Sequence, residues 1–160
     1  MEPNIDISGS DRGAVCGLLN NLLSDEYVLY TKSRNYHWNV VGPQFHDLHK
    51  FFEGQYEELN VIVDDVAERV RSLGGRPEST LAGFLQHATL REMAVGELGA
   101  MEMVRNLLHD HESVIRSLRR DSEVCLEKHH DSGTNDFLVG LMEQHEKMAW
   151  MLRSCLEGKA

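Results

Sequence analysis

The chain is poor in the residues that interrupt helices or staple loops: among 160 residues there are three prolines and three cysteines. The thiols, Cys16, Cys125 and Cys155, are odd in number and lack CxxC spacing, which argues against a disulfide framework or a zinc ribbon; buried or idle thiols are expected. There is no apolar run of the length that crosses a bilayer. The first residues, Met-Glu-Pro-Asn-Ile-Asp, hold no basic stretch followed by an apolar one, so no export signal is expected and the cytoplasm is the expected compartment. Basic charge is scarce too: 16 Lys and Arg stand against 26 Asp and Glu, a net charge of −10, and neither end of the sequence is rich in Lys or Arg. That composition repels DNA and concentrates cations.

What is present is helical periodicity. Residues 10–38 place Val15, Leu18, Leu19, Leu22, Val28, Leu29 and Tyr36 three and four apart. Residues 39–42 break the pattern, and Pro43 can open a second helix, residues 44–73, which carries Phe45, Leu48, Phe52, Tyr56, Leu59, Val63, Val66, Val70 and Leu73. Gly74-Gly75 and Pro77 stop it. Residues 78–88 give a short crossover helix through Leu81, Phe84 and Leu85. A third long helix is expected over residues 93–126, and a fourth after the polar loop 129–133, with Thr134 as its N-cap and Phe137, Leu138, Leu141, Met148, Trp150, Leu152 and Leu156 as its apolar positions. Nothing reads as strand. The expected fold is all-α: a four-helix bundle with an extra short helix between the second and third helices, the ferritin-like arrangement, in one domain over residues 1–160 with residues 1–9 a flexible segment.

One spacing carries chemistry. His37 is followed by His49 and Glu53 one helical turn apart, then by Asp64 and Glu68 one turn apart. Two imidazoles and three carboxylates suit a redox-active first-row metal such as iron better than Ca²⁺ or a structural zinc. At ~100° per residue, positions 49, 53, 64 and 68 fall at roughly 0°, 40°, 60° and 100°, one face of the second helix. Residues 53 and 64 are nevertheless about 16 Å apart along the axis at ~1.5 Å rise, whereas metal–ligand bonds are about 2 Å. One helix cannot close such a site. A second copy running antiparallel across a two-fold axis would bring His49 and Glu53 of one subunit beside Asp64 and Glu68 of the other.

The residues around these positions, His37-Trp-Asn-Val-Val-Gly-Pro-Gln-Phe45, Leu48-His-Lys-Phe-Phe-Glu53 and Asp64-Asp-Val-Ala-Glu-Arg-Val70, closely resemble the signature of the Dps family, the mini-ferritins named as DNA-binding proteins of starved cells. The resemblance continues through Leu73-Gly74-Gly75 and Glu143-Gln-His-Glu-Lys-Met-Ala-Trp-Met-Leu-Arg153 and so covers nearly the whole chain. It implies that His37, His49, Glu53, Asp64 and Glu68 are ferroxidase ligands shared between two subunits, with Glu53 standing where the family more often has Asp. It also implies a hollow shell of twelve subunits whose three-fold pores are lined by acids near the start of the last helix, the location of Asp131 and Asp136, with Glu143 two turns further in. Trp38, beside a ligand histidine, could scavenge stray oxidising equivalents.

The function implied is a cytosolic homo-oligomer that oxidises Fe(II), preferably with hydrogen peroxide, and stores the ferric mineral, protecting against oxidative stress. The rival is a DNA-compacting nucleoid protein with secondary iron chemistry, against which the missing basic tail counts; a third reading is a shell whose site prefers another divalent metal. Ordinary ferritins place Glu-x-x-His pairs on two bundle helices. The one such spacing here, Glu127-Lys-His-His130, lies at a helix end, so an intrasubunit di-iron centre is not expected. His109-Asp110-His111 is expected at the surface, because i and i+2 do not share a helix face. The seven Met residues are expected as core filler, not haem ligands.

Overall fold

The computed structural model describes residues 2–93, 96 and 98–157, and among these all regular structure is helical. The elements are α1 (Gly9–Asn39), α2 (Phe45–Ser72), α3 (Leu81–His87), α4 (Ala100–Glu127) and α5 (Ser132–Leu156). The four long helices form the bundle: α1 packs along α2, α4 packs along α5, and α1 also meets α4. Short α3 lies in the link between α2 and α4 and rests on α1, where Phe84 stacks on Tyr27 with ring centroids 4.1 Å apart. This is the expected ferritin-like bundle with one extra helix.

Periodicity explains the packing. Leu22, Leu29 and Tyr36 of α1, Phe52, Leu59 and Val66 of α2, Leu107, Val114 and Leu118 of α4, and Leu141, Met148 and Leu152 of α5 recur at helical spacing and meet in one core. Truncating one of them, such as fully buried Phe52 to Ala, costs about 3–5 kcal/mol. The α2 helix stops as its sequence requires: Gly74 takes φ 84°, its N–H donates to the Arg71 carbonyl, and the Gly75 N–H reaches back to the Val70 carbonyl, each at 3.0 Å. That pairing satisfies two carbonyls the helix end would leave unbonded.

Four expectations change. The N-terminal segment is tied down: the Arg12 guanidinium pairs with Glu2 and donates to the Ile7 carbonyl at 2.7 Å, and a Cβ at Gly74 would come within 2.8 Å of Pro3 Cδ. The α4 helix begins at Ala100, with Gly99 as its N-cap, because Gly96 and Gly99 weaken the preceding turn; residues 94, 95 and 97 of the expected helix lie outside the described residues. The cap of α5 is Asp131, not Thr134, since its carboxylate accepts the Thr134 N–H at 2.8 Å. Trp150 is 60% exposed, lying off the α5 core stripe.

Candidate functional site

His37 sits in the last turn of α1 and His49 in the second turn of α2, where the tight 40–44 connection folds the two helix ends together. Gly42 takes φ 113° in that connection, a conformation other residues rarely adopt. The imidazoles stack with centroids 3.8 Å apart and planes 22° apart. His37 Nδ1 lies 2.8 Å from the His49 carbonyl, and His49 Nδ1 lies 2.8 Å from the His37 carbonyl. A carbonyl can only accept, so each Nδ1 carries the proton. Each Nε2 of the neutral ring is then left with a lone pair, the arrangement in which histidine binds a metal.

Glu53 lies one turn beyond His49 and is half-buried. Lys50 Nζ donates to Glu53 Oε2 at 2.6 Å, and this bond is the main reason the Glu53 carboxyl is held below the usual range; some burial works against it, and the charge of the Lys50 ammonium adds to it. Asp64 and Glu68 stand exposed further along α2. The structure therefore brings His37, His49 and Glu53 to one end of α2 and leaves Asp64 and Glu68 on a separate stretch of the same helix. Among the described residues no three His, Cys, Asp or Glu side chains of one chain gather where they could hold a metal ion.

Next to His37, Arg34 fills an aromatic cage. Its guanidinium carbon lies 4.9 Å from the Tyr56 ring centroid, 5.2 Å from that of Trp38 and 5.6 Å from that of Tyr30. Tyr56 meets His37 edge-on at 5.2 Å. Trp38 is 64% exposed, which leaves its ring open to solvent-borne species on this chain.

The acids named for a pore divide. Asp131 is buried and committed within its own subunit: it caps α5, accepts the Thr134 hydroxyl at 2.5 Å and pairs with Arg69 of α2 at 3.1 Å. It has no carboxylate surface to offer a channel, and the pore reading of Asp131 is corrected on that ground. Asp136 and Glu143 are exposed on α5 and, being seven residues apart, share a face.

Sequence reasoning missed a polar group in the bundle core. Asp110 and His111, expected at the surface, are buried, as are Glu26 and His145. The signal was there: His111 keeps step with Leu107, Val114 and Leu118, and His145 with Leu141, Met148 and Leu152, so both lie on core stripes.

The ferritin-like domain family matches residues 16–159. An uncharacterised low temperature-induced protein of Nostoc sp. is 50% identical over 156 residues, covering 98% of this chain and 87% of that protein. DNA protection during starvation protein 2 of Bacillus anthracis is 39% identical over 142 residues, covering 89% of this chain and 96% of the relative. Among solved structures, the Dps protein of Vibrio cholerae O1, described as a member of a broad superfamily of ferritin-like diiron-carboxylate proteins, superposes with a TM-score of 0.92 at 29% identity, covering 98% of this chain and 97% of that one. With its helix order, its reciprocal histidine pair and these relatives, the chain belongs to the Dps family of ferritin-like proteins, the mini-ferritins.

Proposed function

We propose that this mini-ferritin oxidises Fe(II), preferably with hydrogen peroxide, at sites completed by two subunits, and stores the ferric product inside a twelve-subunit shell. The observation that carries the reading is the His37–His49 pair, whose Nδ1 protons are both held by backbone carbonyls so that both Nε2 lone pairs are free for the ferrous substrate. Glu53 supplies a carboxylate one turn away, and Asp64 and Glu68 of a second copy complete the set, because their own helix holds them too far from the histidines.

Nitrogen and oxygen donors with open positions suit Fe(II) that must meet an oxidant. Peroxide accepts two electrons, one from each of two ferrous ions, and takes up two protons to leave as water, so no hydroxyl radical is released. The lowered Glu53 carboxyl keeps its charge for the cation, and Lys50 must yield that carboxylate when iron arrives. In this reading exposed Asp136 and Glu143 draw cations toward α5 in an assembled shell, and exposed Trp38 intercepts oxidising equivalents that escape near His37. A net charge of −10 disfavours duplex DNA as a partner. No described helix is long and apolar enough to cross a membrane.

The test is anaerobic addition of Fe(II) followed by peroxide, with the absorbance of the ferric product recorded. Rapid formation of soluble ferric product, at about two iron per peroxide, is expected; oxidation no faster than in protein-free buffer overturns the reading.

A further inference from the structure

Each of the four long helices sends one polar side chain into the middle of the bundle: Glu26 from α1, Gln55 from α2, His111 from α4 and His145 from α5, all buried. Gln55 Oε1 lies 3.1 Å from His111 Nε2, His111 Nδ1 lies 3.0 Å from His145 Nδ1, and His145 Nε2 lies 3.0 Å from Glu26 Oε1. Among the described residues neither Glu26 oxygen and not His145 Nε2 has a hydrogen-bond partner, although Glu26 and His145 are 0% exposed. Buried polar atoms in that state call for an explanation, commonly an ion or a water.

Proton positions can be followed along the row. The Gln55 oxygen only accepts, so His111 donates through Nε2. His111 is 0% exposed and its two nitrogens face only the Gln55 oxygen and His145, so one proton, on Nε2, satisfies the ring and its Nδ1 is an acceptor. His145 must then donate through Nδ1, which leaves the Nε2 of a neutral His145 with a lone pair turned toward a carboxylate. Two such groups repel unless a cation lies between them. A proton would align N–H with oxygen, yet these atoms sit 3.0 Å apart without hydrogen-bond alignment. Two donors bound at right angles to one metal at ~2.1 Å are themselves about 3.0 Å apart.

We propose that Glu26 and His145 form a divalent transition-metal site inside each subunit, with His111 and Gln55 as positioning residues that fix the tautomer of His145. The donors are one imidazole nitrogen and one carboxylate, mono- or bidentate, a set that suits Zn²⁺, Co²⁺ or Fe²⁺ rather than Ca²⁺. A row of hydrogen bonds behind a ligand histidine is the support such ligands take, and here it spans α5, α4 and α2. Two side chains ligate, Glu26 through one or both oxygens and His145 through Nε2, at a point enclosed by the core. The site uses none of the five residues assigned to iron oxidation, and it does not rest on that assignment.

The experiment strips the oligomer with chelator and titrates Co²⁺, reading its visible absorption and the bound stoichiometry, in wild type, in H37A/H49A and in H37A/H49A carrying E26Q. About one Co²⁺ per chain bound through nitrogen and oxygen in H37A/H49A, lost with E26Q, is the expected result. Anomalous diffraction from Co²⁺-soaked wild-type crystals decides the matter even if E26Q fails to fold: a peak between Glu26 and His145 is required. Absence of that peak, or binding in H37A/H49A that persists with a folded E26Q, overturns the proposal, and a shared proton then accounts for the pair. A peak at His37 and His49 without one at Glu26 would sink this inference alone.

Discussion

Lys32 and Asp110 face one another across the α1–α4 contact, Nζ to Oδ2 at 2.5 Å, with side chains 6% and 9% exposed. Burial pushes the Asp110 carboxyl up, and the Lys32 ammonium pulls it part of the way back. A pair so enclosed contributes little beyond an apolar pair of the same size, but breaking it strands a charge. Asp110→Ala should therefore cost about 3–5 kcal/mol, while a Lys32→Met/Asp110→Leu double variant should lose much less. Urea midpoints of the two proteins check this; a double variant as unstable as the single one would contradict it.

His49→Ala with Asp64→Ala removes a ligand from each half of the proposed iron site. Peroxide-driven oxidation should slow by at least about tenfold, since even residues that only support a metal ligand are worth that much. Stopped-flow initial rates measure it, with light scattering to show that assembly is intact. Unchanged rates would remove these residues from the site.

Mixing tests the two-subunit geometry. One protein carries His37→Ala and His49→Ala, the other Asp64→Ala and Glu68→Ala, and each alone should be nearly inactive. In co-assembled oligomers every mixed two-fold interface holds one site with intact histidines and intact carboxylates, so activity should return to at most about half per mixed interface. No recovery in particles proven to contain both chains would place the site within one chain.

The assembled particle should have a mass near twelve times 18.2 kDa by light scattering. It should not retard duplex DNA at neutral pH and moderate salt, because a net charge of −10 denies it the phosphate contacts that supply non-specific affinity. A monomer at micromolar concentration, or tight retardation without divalent ions, would refute the respective half of this expectation.

Thiol labelling reads the core. Burial, aided by nearby Asp131 and Asp121, pushes the Cys125 thiol up to about 11, and Cys16 is buried as well. At pH 8 a thiolate reagent should leave both untouched in the native protein and modify all three cysteines after denaturation. Native labelling of Cys125 would show that the α4–α5 end of the bundle opens readily.

The long helices were legible because their apolar residues keep a strict three-and-four rhythm and their ends carry glycine, proline and capping acids. The late start of α4 was not, since Met93 and Leu98 are apolar enough to continue the pattern while Gly96 and Gly99 interrupt it. For the site, the alignment of His49, Glu53, Asp64 and Glu68 followed from arithmetic alone, but the exchange of bonds between His37 and His49 depends on how the 40–44 connection folds. His111 was misread because its neighbours His109 and Asp110 drew it into a polar triplet; judged by phase with Leu107 and Val114, it belongs inside. Asp131 was misjudged for the opposite reason: an acid before a helix can face solvent or turn inward as a cap, and only the position of Arg69 decides.

The crossed bonds of His37 and His49 run from each ring to the backbone of the other residue, so each proton is held by a group that a side-chain substitution leaves in place. Replacing one histidine therefore costs the survivor its stacking partner but not the carbonyl that fixes its tautomer. The two positions still act as one ligand pair: the first loss should inflict most of the damage on iron oxidation and the second should add little.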